Sequence, residues 1–296
     1  MPVFSILGTK GGVGKSTIAM GIAAWLSKIQ NDLVLLVDGD IHVRTVELKM
    51  APKTDITFAQ VLEGKYDLVD AIYRCQLKSR GRWLFPQLSI LPAGARFLPP
   101  GTRNVVKFVS DTVERFEPVM KRLREYFSYI VLDTPPSVSF EHFILTAVAD
   151  SLIFVVTPDV GSIFSSRQTA IGLEEMMGVK PLGVVLNKVP IGLPNLKGWM
   201  EYASEVAPLI GMVEYDELLD EAFKRNLPVV AAYPRATSSL ALRKIAKKMM
   251  KLQIQETDVL SKFKRAWKKA WEDRKMEERY LKRLSRVLRK PPPSPS

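Results

Sequence analysis

The chain has 296 residues, of which 47% are hydrophobic, and it carries a formal net charge of +12. This length can bury a substantial core and predicts one large α/β domain with an appendage. No run of about 18 apolar residues is present, which excludes a membrane-spanning helix, and the single cysteine, Cys75, excludes an internal disulfide and any multi-cysteine metal site.

The first predicted elements are a short strand, a glycine-rich loop and a helix. Residues 3–17 read VFSILGTKGGVGKST, and the apolar run Val3–Leu7 predicts a buried strand that is too short for a signal peptide. The glycines let consecutive backbone N–H groups turn toward an anion, and the helix that follows adds the positive end of its dipole. The predicted phosphate-binding residues are Gly11, Gly12, Val13, Gly14, Lys15, Ser16 and Thr17.

Lys15 and Ser16 determine the chemistry of this loop. Lys15 falls where an ammonium group can reach the β- and γ-phosphates of a nucleotide, and Ser16 falls where a hydroxyl can bind Mg²⁺. The alternative is a tight turn between strand and helix that binds no phosphate.

A second lysine, Lys10, completes the pattern Lys-Gly-Gly-x-Gly-Lys-Ser. This pattern resembles the deviant Walker A loop of the MinD/ParA family, although Thr9 stands where an ordinary Walker A loop begins with glycine. The resemblance implies that Lys10 contacts the phosphates of a partner subunit across a nucleotide-sandwich dimer. The alternative is that Lys10 only adds local positive charge. The single cysteine argues against the iron–sulfur scaffold ATPases, which share the loop but need a cysteine pair.

Short apolar runs alternate with helical patterns through to about residue 250. The predicted strands are Val3–Leu7, Leu33–Val37, Leu88–Leu91, Ile130–Leu132, Ser151–Val156 and Gly183–Leu186, and the predicted helices include Ser16–Lys28, Asp111–Tyr126 and Ser166–Met177. Continuous apolar strands separated by amphipathic helices predict an α/β fold, with a mostly parallel twisted sheet flanked by helices on both faces. This is the architecture of a P-loop NTPase.

Acidic residues follow two of the predicted strands. Asp38 and Asp40 end one strand, and Asp133 ends another. Because ligands of open α/β sheets bind beyond the carboxyl ends of the strands, we expect these acids to converge on the phosphate loop. The family resemblance implies that Asp40 orients the attacking water, that Asp133 holds Mg²⁺ in its outer coordination sphere, and that Asp38 supports the metal and the loop. The alternative for each is an acid that caps a turn.

Asn187 ends the apolar run GVVLNKV. The resemblance implies that its amide contacts adenine, since an amide offers both a donor and an acceptor, and the alternative is a turn asparagine. Arg44 and Thr45 stand where MinD members commonly have asparagine. The two histidines, His42 and His142, receive no role.

The C-terminal segment concentrates the positive charge. Residues 261–296 contain 13 Lys/Arg and 4 Asp/Glu. Residues 260–290 predict a long helix with an aromatic stripe formed by Phe263, Trp267 and Trp271. Further along, the apolar arc comprises Tyr280, Leu281, Leu284, Val287 and Leu288, and the opposite basic arc comprises Lys282, Arg283, Arg286, Arg289 and Lys290.

A basic amphipathic helix of this kind is typical of an anionic membrane interface. It resembles the C-terminal membrane-targeting helix of MinD, although it is longer and more basic. The alternatives are a helix that binds DNA through its cations, one that folds back on the domain, and one that pairs with a partner protein. A second basic surface lies on the preceding helix and consists of Arg243, Lys244, Lys247, Lys248 and Lys251.

These observations predict three segments: an ATPase domain over residues 1–255, a basic amphipathic helix over 256–290, and a disordered tail over 291–296. We expect a Mg²⁺-dependent ATPase that forms an ATP-dependent homodimer and hydrolyses ATP slowly, stimulated by a protein partner. Its expected location is cytoplasmic, peripherally at the inner face of the membrane, where it positions division sites or polar structures. The alternative is a ParA-type partition ATPase that binds DNA non-specifically at the nucleoid.

Overall fold

The computed structural model describes residues 2–40, 43–51, 54–92, 94, 118–135, 140–179, 181–252 and 254. Within these ranges the strands are β1 (Val3–Leu7), β2 (Val34–Asp38), β3 (Tyr73–Arg74), β4 (Lys78–Ser79), β5 (Arg82–Trp83), β6 (Leu88–Leu91), β7 (Tyr129–Asp133), β8 (Ser151–Val156), β9 (Pro181–Val189) and β10 (Leu209–Glu214). The longer strands are apolar runs rich in Val, Ile and Leu, as expected for strands that are buried on both faces of a sheet.

Helices connect these strands. They are α1 (Lys15–Ile29), α2 (Thr45–Met50), α3 (Phe58–Leu62), α4 (118–126), α5 (Phe140–Ala147), α6 (Val160–Met177), α7 (Leu196–Ser204), α8 (Glu217–Lys224), α9 (Val229–Ala232) and α10 (Thr237–Met249), with a 3-10 turn at Leu68–Ala71. None of the helices in the described ranges has both the length and the apolar composition needed to cross a bilayer.

The main sheet has the strand order β10-β9-β8-β1-β7-β2-β6-β3, and β4 pairs with β5 in a separate hairpin. All pairings in the main sheet are parallel except that of β3 with β6. In the register of β2 with β7, Asp38 lies opposite Asp133, and Ile6 of β1 also lies opposite Asp133. The sheet therefore brings two carboxylates to the end of β1 at which the glycine-rich loop begins.

Each face of the sheet carries its own apolar core. Phe4 and Ile6 point to the face covered by α1, α9 and α10, whereas Val3 and Leu7 point to the opposite face. These side chains are fully buried, and burial of each contributes about 1.5–3 kcal/mol of hydrophobic stabilisation. The predicted α/β architecture, a mostly parallel sheet with helices on both faces, is confirmed.

Helix α1 packs closely against α10. A Cβ atom at Gly21 would overlap the Leu242 side chain, so only glycine permits this approach of the two helices. The indole N–H of Trp25 also donates a hydrogen bond of 2.9 Å to the Ser239 carbonyl oxygen. The helix that follows the glycine-rich loop is thus fixed to the C-terminal helix of the described domain.

Several element boundaries differ from the sequence-based predictions. The strand predicted at Leu33–Val37 is shifted by one residue, and the one predicted at Gly183–Leu186 is the centre of the longer β9. Helix α6 begins at Val160 rather than at Ser166, because Asp159 accepts a hydrogen bond of 2.9 Å from the Ser162 amide and so caps the earlier start. The predicted helix over 111–126 is present from residue 118, and residues 95–117 lie outside the described ranges. The predicted helix over 256–290 and tail over 291–296 also lie outside them.

Candidate functional site

The loop between β1 and α1 is shaped to bind an anion. Gly12 and Gly14 have φ angles of 78° and 95°, in the left-handed region that favours glycine. The N-cap residue of α1 is Gly14, which has no side chain that could cap the helix. The first amide groups of the helix therefore remain available to a ligand. A Cβ at Gly8 would lie 2.8 Å from the Val13 side chain, so the loop closes tightly at this position.

Lys15 begins α1 and is only 6% exposed. Burial lowers the pKa of its ammonium group, and the carboxylates of Asp133 and Asp40 act in the opposite direction. The structure therefore brings together three residues that the sequence places far apart. A buried cation that is influenced by two acids and begins a helix is suited to binding phosphate oxygens.

Asp38 is fully buried, and backbone amides bind both of its carboxylate oxygens. The Asp40 amide donates to Oδ1 at 3.1 Å and the Glu47 amide donates to Oδ2 at 2.9 Å. Burial raises the pKa of Asp38 to about 7, and the two amide hydrogen bonds oppose this rise. Asp38 thus fixes the segment between β2 and α2, and its support of a metal ion stays a prediction.

Asp133 is also fully buried, but neither of its carboxylate oxygens has a hydrogen-bond partner within bonding distance among the described residues. Burial and the adjacent Asp38 carboxyl raise its pKa well above the usual value, whereas the Ser16 hydroxyl and the Lys15 ammonium act against the rise. A buried carboxylate without partners beside a loop hydroxyl fits a hydrated Mg²⁺, which keeps several of its waters. In the described ranges no three His, Cys, Asp or Glu side chains cluster as a metal site.

Asp40 lines the same pocket and is 6% exposed. Its Oδ1 accepts a hydrogen bond of 3.1 Å from the Val43 amide, and its carbonyl oxygen accepts one of 2.9 Å from the Arg44 amide. Arg44 has a φ angle of 48°, and its guanidinium pairs with the Glu47 carboxylate at 3.3 Å. The Asp40 carboxylate is therefore held by the segment that leads into α2. His42 lies outside the described residues.

Lys10 is exposed and is directed toward helix α6 of its own chain. Its Nζ pairs with Asp159 Oδ1 at 3.2 Å. The same Oδ1 caps α6 at Ser162, and Oδ2 accepts from the Thr157 hydroxyl at 2.5 Å. Thr9 adds a hydroxyl contact of 2.6 Å to Ser165. The beginning of the loop is thus attached to the N-terminus of α6.

Asn187 contacts the loop directly. Its side-chain Nδ2 donates to the Val13 carbonyl oxygen at 2.7 Å, and a Cβ at Gly14 would overlap the same amide group. Asn187 is 3% exposed at this contact. The side-chain oxygen is the atom with which it could contact a base, and that role remains a prediction.

The pocket at this loop has a volume of about 430 Å³ and is lined partly by residues that sequence reasoning missed. Gly12, Gly14, Lys15, Ser16, Thr17 and Asp40 were predicted, and Val43, Thr45, Lys188, Leu219, Asp220 and Phe223 complete the lining. The last three belong to α8, and no local pattern in ELLDEAFK indicates that this helix lies beside the loop. The volume is within the range of nucleotide-sized ligand sites.

Helix α8 is fastened to α2 at the edge of this pocket. The Lys49 ammonium lies 4.1 Å from the centre of the Phe223 ring and donates to Asn226 Oδ1 at 3.3 Å. Asn226 Nδ2 in turn donates to the Leu48 carbonyl oxygen at 3.1 Å. The wall of the pocket at Phe223 therefore packs against α2, the helix that follows Asp40.

His142, to which the sequence assigned no role, lies on α5 and is 4% exposed. Burial lowers its pKa to about 4, and the nearby Lys15 ammonium adds to the effect. The imidazole is therefore neutral at physiological pH, close to the phosphate loop.

Comparison with known proteins agrees with this geometry. A family model described as the CobQ/CobB/MinD/ParA nucleotide binding domain matches residues 4–229. An uncharacterised ATP-binding protein of Methanocaldococcus jannaschii is 29% identical over 252 residues, which cover 83% of this chain and 86% of the relative. The septum site-determining protein MinD of Bacillus subtilis is 25% identical over 249 residues, which cover 81% and 86%. The solved structure of MinD from Pyrococcus horikoshii complexed with Mg-ADP is 24% identical, with a TM-score of 0.68 over 84% of this chain and 96% of that one.

Proposed function

The chain belongs to the CobQ/CobB/MinD/ParA nucleotide-binding family, and from this membership we propose that it is a Mg²⁺-dependent ATPase that acts as a spatial-positioning switch. The observation that carries the proposal is the pocket of about 430 Å³ in which Lys15 is influenced by both Asp40 and Asp133. Two relatives support the proposal. The relative from Methanocaldococcus jannaschii is named an ATP-binding protein, and the structure from Pyrococcus horikoshii was solved with Mg-ADP.

Residues of the loop would bind the triphosphate of ATP. The backbone amides of Gly11 to Thr17 would face the β-phosphate, and the Lys15 ammonium would contact β- and γ-oxygens. Asn187 would contact the adenine while its Nδ2 holds the loop at Val13. The apolar side chains of Leu219 and Phe223 would form a wall beside the base.

Hydrolysis requires a positioned water and compensation of the charge on the phosphates. Mg²⁺, when bound, neutralises negative charge on the β- and γ-oxygens. The Ser16 hydroxyl would hold the ion directly and Asp133 through coordinated water, since its two oxygens have no other partner in the described ranges. Asp40 would orient the attacking water, and Asp38 would keep Asp40 in place through the hydrogen bond of 3.1 Å that it accepts from the Asp40 amide.

The proposed active form is a homodimer that assembles on ATP. Lys10 would cross the interface to contact the phosphates bound by the partner subunit, so it would first have to leave Asp159, 3.2 Å away in its own chain. This ion pair is exposed, and exposed pairs contribute at most about 1 kcal/mol, so its loss is a small cost. A protein partner would stimulate the slow hydrolysis that ends the dimer.

The dimer would bind an anionic membrane through the segment 256–290. Two copies of a weak amphipathic helix bind a surface far more strongly than one, because the second binding event is intramolecular. The protein would therefore be cytoplasmic and peripheral at the inner face of the membrane while ATP is bound, and it would position division sites or polar structures.

A second candidate function is DNA partition, which α10 supports. Arg243, Lys244, Lys247, Lys248 and Lys251 are all exposed on or directly after this helix. Two of these cations also contact protein, because the Arg243 guanidinium lies 5.3 Å from the centre of the Trp25 ring and Lys248 Nζ donates to the Leu209 carbonyl oxygen at 3.0 Å. Non-specific DNA binding needs only such a field of cations.

Sedimentation with anionic liposomes and with duplex DNA, each in ATP and in ADP, tests the proposal. We expect ATP-dependent sedimentation with liposomes. Replacing Leu281 and Leu284 by Asp should abolish it, because charge then occupies the apolar arc while the basic arc remains. The partition function would be favoured by a different result: the wild type does not bind liposomes, and the double variant still binds DNA. Added salt should then abolish the binding to DNA.

A further inference from the structure

An apolar groove lies at the end of the sheet opposite the phosphate loop. It has a volume of about 420 Å³ and is lined mainly by Leu33, Leu68, Val69, Ile72, Tyr126 and Phe127. Leu33 immediately precedes β2, and Phe127 precedes β7 by two residues. Because these strands are parallel to β1, their amino ends are remote from the loop at its carboxyl end. The groove is therefore separate from the nucleotide pocket.

Three large side chains of this groove face solvent. Leu33 is 45% exposed, Val69 59% and Tyr126 64%. Single exposed apolar residues are ordinary, but several that converge on one groove indicate an interaction surface. On its rim, Arg122 pairs with Asp67 at 3.3 Å. The arrangement of an apolar floor and a charged rim is that of a helix-binding groove.

The described chain ends at the same end of the sheet as this groove, but on the opposite face. Ile254, its last residue, lines a cavity of about 380 Å³ together with Asp32 and Ser128. These two residues are the sequence neighbours of Leu33 and Phe127, and the Ser128 amide donates to the Leu33 carbonyl oxygen at 2.7 Å. The residues between Ile254 and Leu260 span up to about 20 Å when extended, so the segment that follows can reach the groove.

The sequence of that segment matches the groove in polarity and charge. Leu260, Phe263, Trp267 and Trp271 recur at intervals of three and four residues, which places them on one side of a helix. Its cations are Lys262, Lys264, Arg265, Lys268 and Lys269, and residues 260–271 contain no acid. The acids next to the groove residues in sequence are the exposed Asp67, Asp70 and Glu125 and the half-buried Asp32.

We propose that residues 260–271 of the same chain dock in this groove as an amphipathic helix, with Trp267 and Trp271 on the apolar floor formed by Leu33, Val69 and Tyr126. A docked segment shields its aromatic stripe from other surfaces, so docking competes with whatever else the appendage binds. Docking of this segment requires neither bound nucleotide nor hydrolysis, so it is independent of the proposed ATPase cycle.

Cross-linking in the full-length protein tests the contact. Cys75 is 1% exposed, and burial raises its thiol pKa to about 11, so introduced cysteines alone should react with a short bismaleimide. The test pair is Val69→Cys with Trp267→Cys. The control pair is Ile191→Cys with Trp267→Cys, since Ile191 is 84% exposed in the loop after the carboxyl end of β9.

We expect the test pair to form an intramolecular cross-link at least about tenfold faster than the control pair, because docking raises the effective concentration of the two thiols. Equal rates would overturn the proposal. A cross-linked product of dimer size would overturn it as well, since the groove would then hold the segment of a second copy.

Tryptic cleavage supplies a readout that needs no introduced thiol. Val69→Asp places a charge on the floor of the groove and should speed cleavage after Lys268 and Lys269 several-fold, because a released helix is open to protease. Ile191→Asp, an equally polar change at an exposed apolar residue, should leave the cleavage rate unchanged. Cleavage of Val69→Asp at the wild-type rate would show that the segment does not occupy the groove.

Discussion

At the scale of single residues, the two lysines of the loop have different environments. Lys15 is 6% exposed and interacts with Asp40 and Asp133, whereas Lys10 has a side chain that is 57% exposed and pairs with Asp159. A buried ammonium is already placed for a ligand in its own pocket. An exposed one can exchange its partner at little cost, which is what contact with a second subunit requires.

Substitution of the two lysines should therefore separate binding from assembly. Lys10→Ala should leave the affinity of the monomer for nucleotide within about twofold and remove ATP-dependent dimerisation, because the contact proposed for Lys10 is made to the other subunit. Light scattering with a non-hydrolysable ATP analogue measures the dimer. Lys15→Ala is the matched control and should weaken nucleotide binding by about 100-fold, the loss of a charged hydrogen bond. A Lys10→Ala dimer as strong as that of the wild type would contradict the role of Lys10.

His142 should make folding sensitive to mild acid. Because its folded pKa of about 4 is below its unfolded value, the unfolded chain takes up a proton first as pH falls. The contribution of His142 to stability should be constant above pH 6.5 and should fall by up to about 3 kcal/mol between about pH 6.5 and 4, whereas the raised pKa of Asp38 acts in the opposite direction over part of this range. Urea unfolding of the wild type and of His142→Gln at several pH values measures the effect. The stability of the wild type relative to the variant should fall as pH decreases through this range, and a constant difference would contradict the role assigned to His142.

At the scale of secondary-structure elements, Asp159 performs two tasks at the start of α6. It accepts the capping hydrogen bond from Ser162 and holds Lys10. The cap contributes about 1 kcal/mol, and the exposed ion pair contributes less.

Two variants distinguish these tasks. Asp159→Ala should lower the free energy of unfolding by about 1 kcal/mol, since the first turn of α6 loses its acceptor. Asp159→Asn keeps a capping oxygen and removes the charge, so its stability should lie within about 0.5 kcal/mol of the wild type. Chemical denaturation of the nucleotide-free protein measures both. If the Asn variant loses as much as the Ala variant, the ion pair with Lys10 is the larger contribution.

The elements differ in how far the sequence could predict them. Val3–Leu7, Leu88–Leu91 and Ser151–Val156 were predicted to the residue because central strands of a parallel sheet are continuous apolar runs. The strand β10 was missed because it is an edge strand with partly exposed residues and a glycine at position 211. The early start of α6 has a signal in the sequence, because Asp159 stands in the capping position before the helix.

At the scale of the whole molecule, the candidate site has one part that the sequence predicts and one part, the wall formed by α8, that it does not. The loop residues and the three strand-end acids follow from local pattern and from the rule that ligands bind beyond the carboxyl ends of strands. The wall formed by Leu219, Asp220 and Phe223 is a consequence of tertiary packing and of the contact between Lys49 and Phe223. Nothing in the sequence near α8 specifies that contact.

The proposed division of the chain at residue 255 can be tested by truncation. Both apolar cores, the phosphate loop and all three acids lie before this point, so removal of residues 257–296 should preserve folding and nucleotide binding. The urea midpoint should fall only by what the docked segment 260–271 contributes, and the affinity for liposomes should be lost. Unfolding curves and liposome sedimentation of the truncated protein measure the two properties. Loss of cooperative unfolding would place part of the domain's stability in the appendage.

Lys248 also protects the open edge of the sheet at β10. In the described chain β10 has a neighbouring strand on one side only, and the Lys248 ammonium donates to the Leu209 carbonyl oxygen of that strand. A charged group bound along an edge strand hinders the strands of other molecules from adding to it. Charge-removing substitutions of Lys248, the obvious way to probe DNA binding, therefore also remove a protection against aggregation. A lower yield or a turbid preparation of such a variant reports on the sheet edge rather than on DNA.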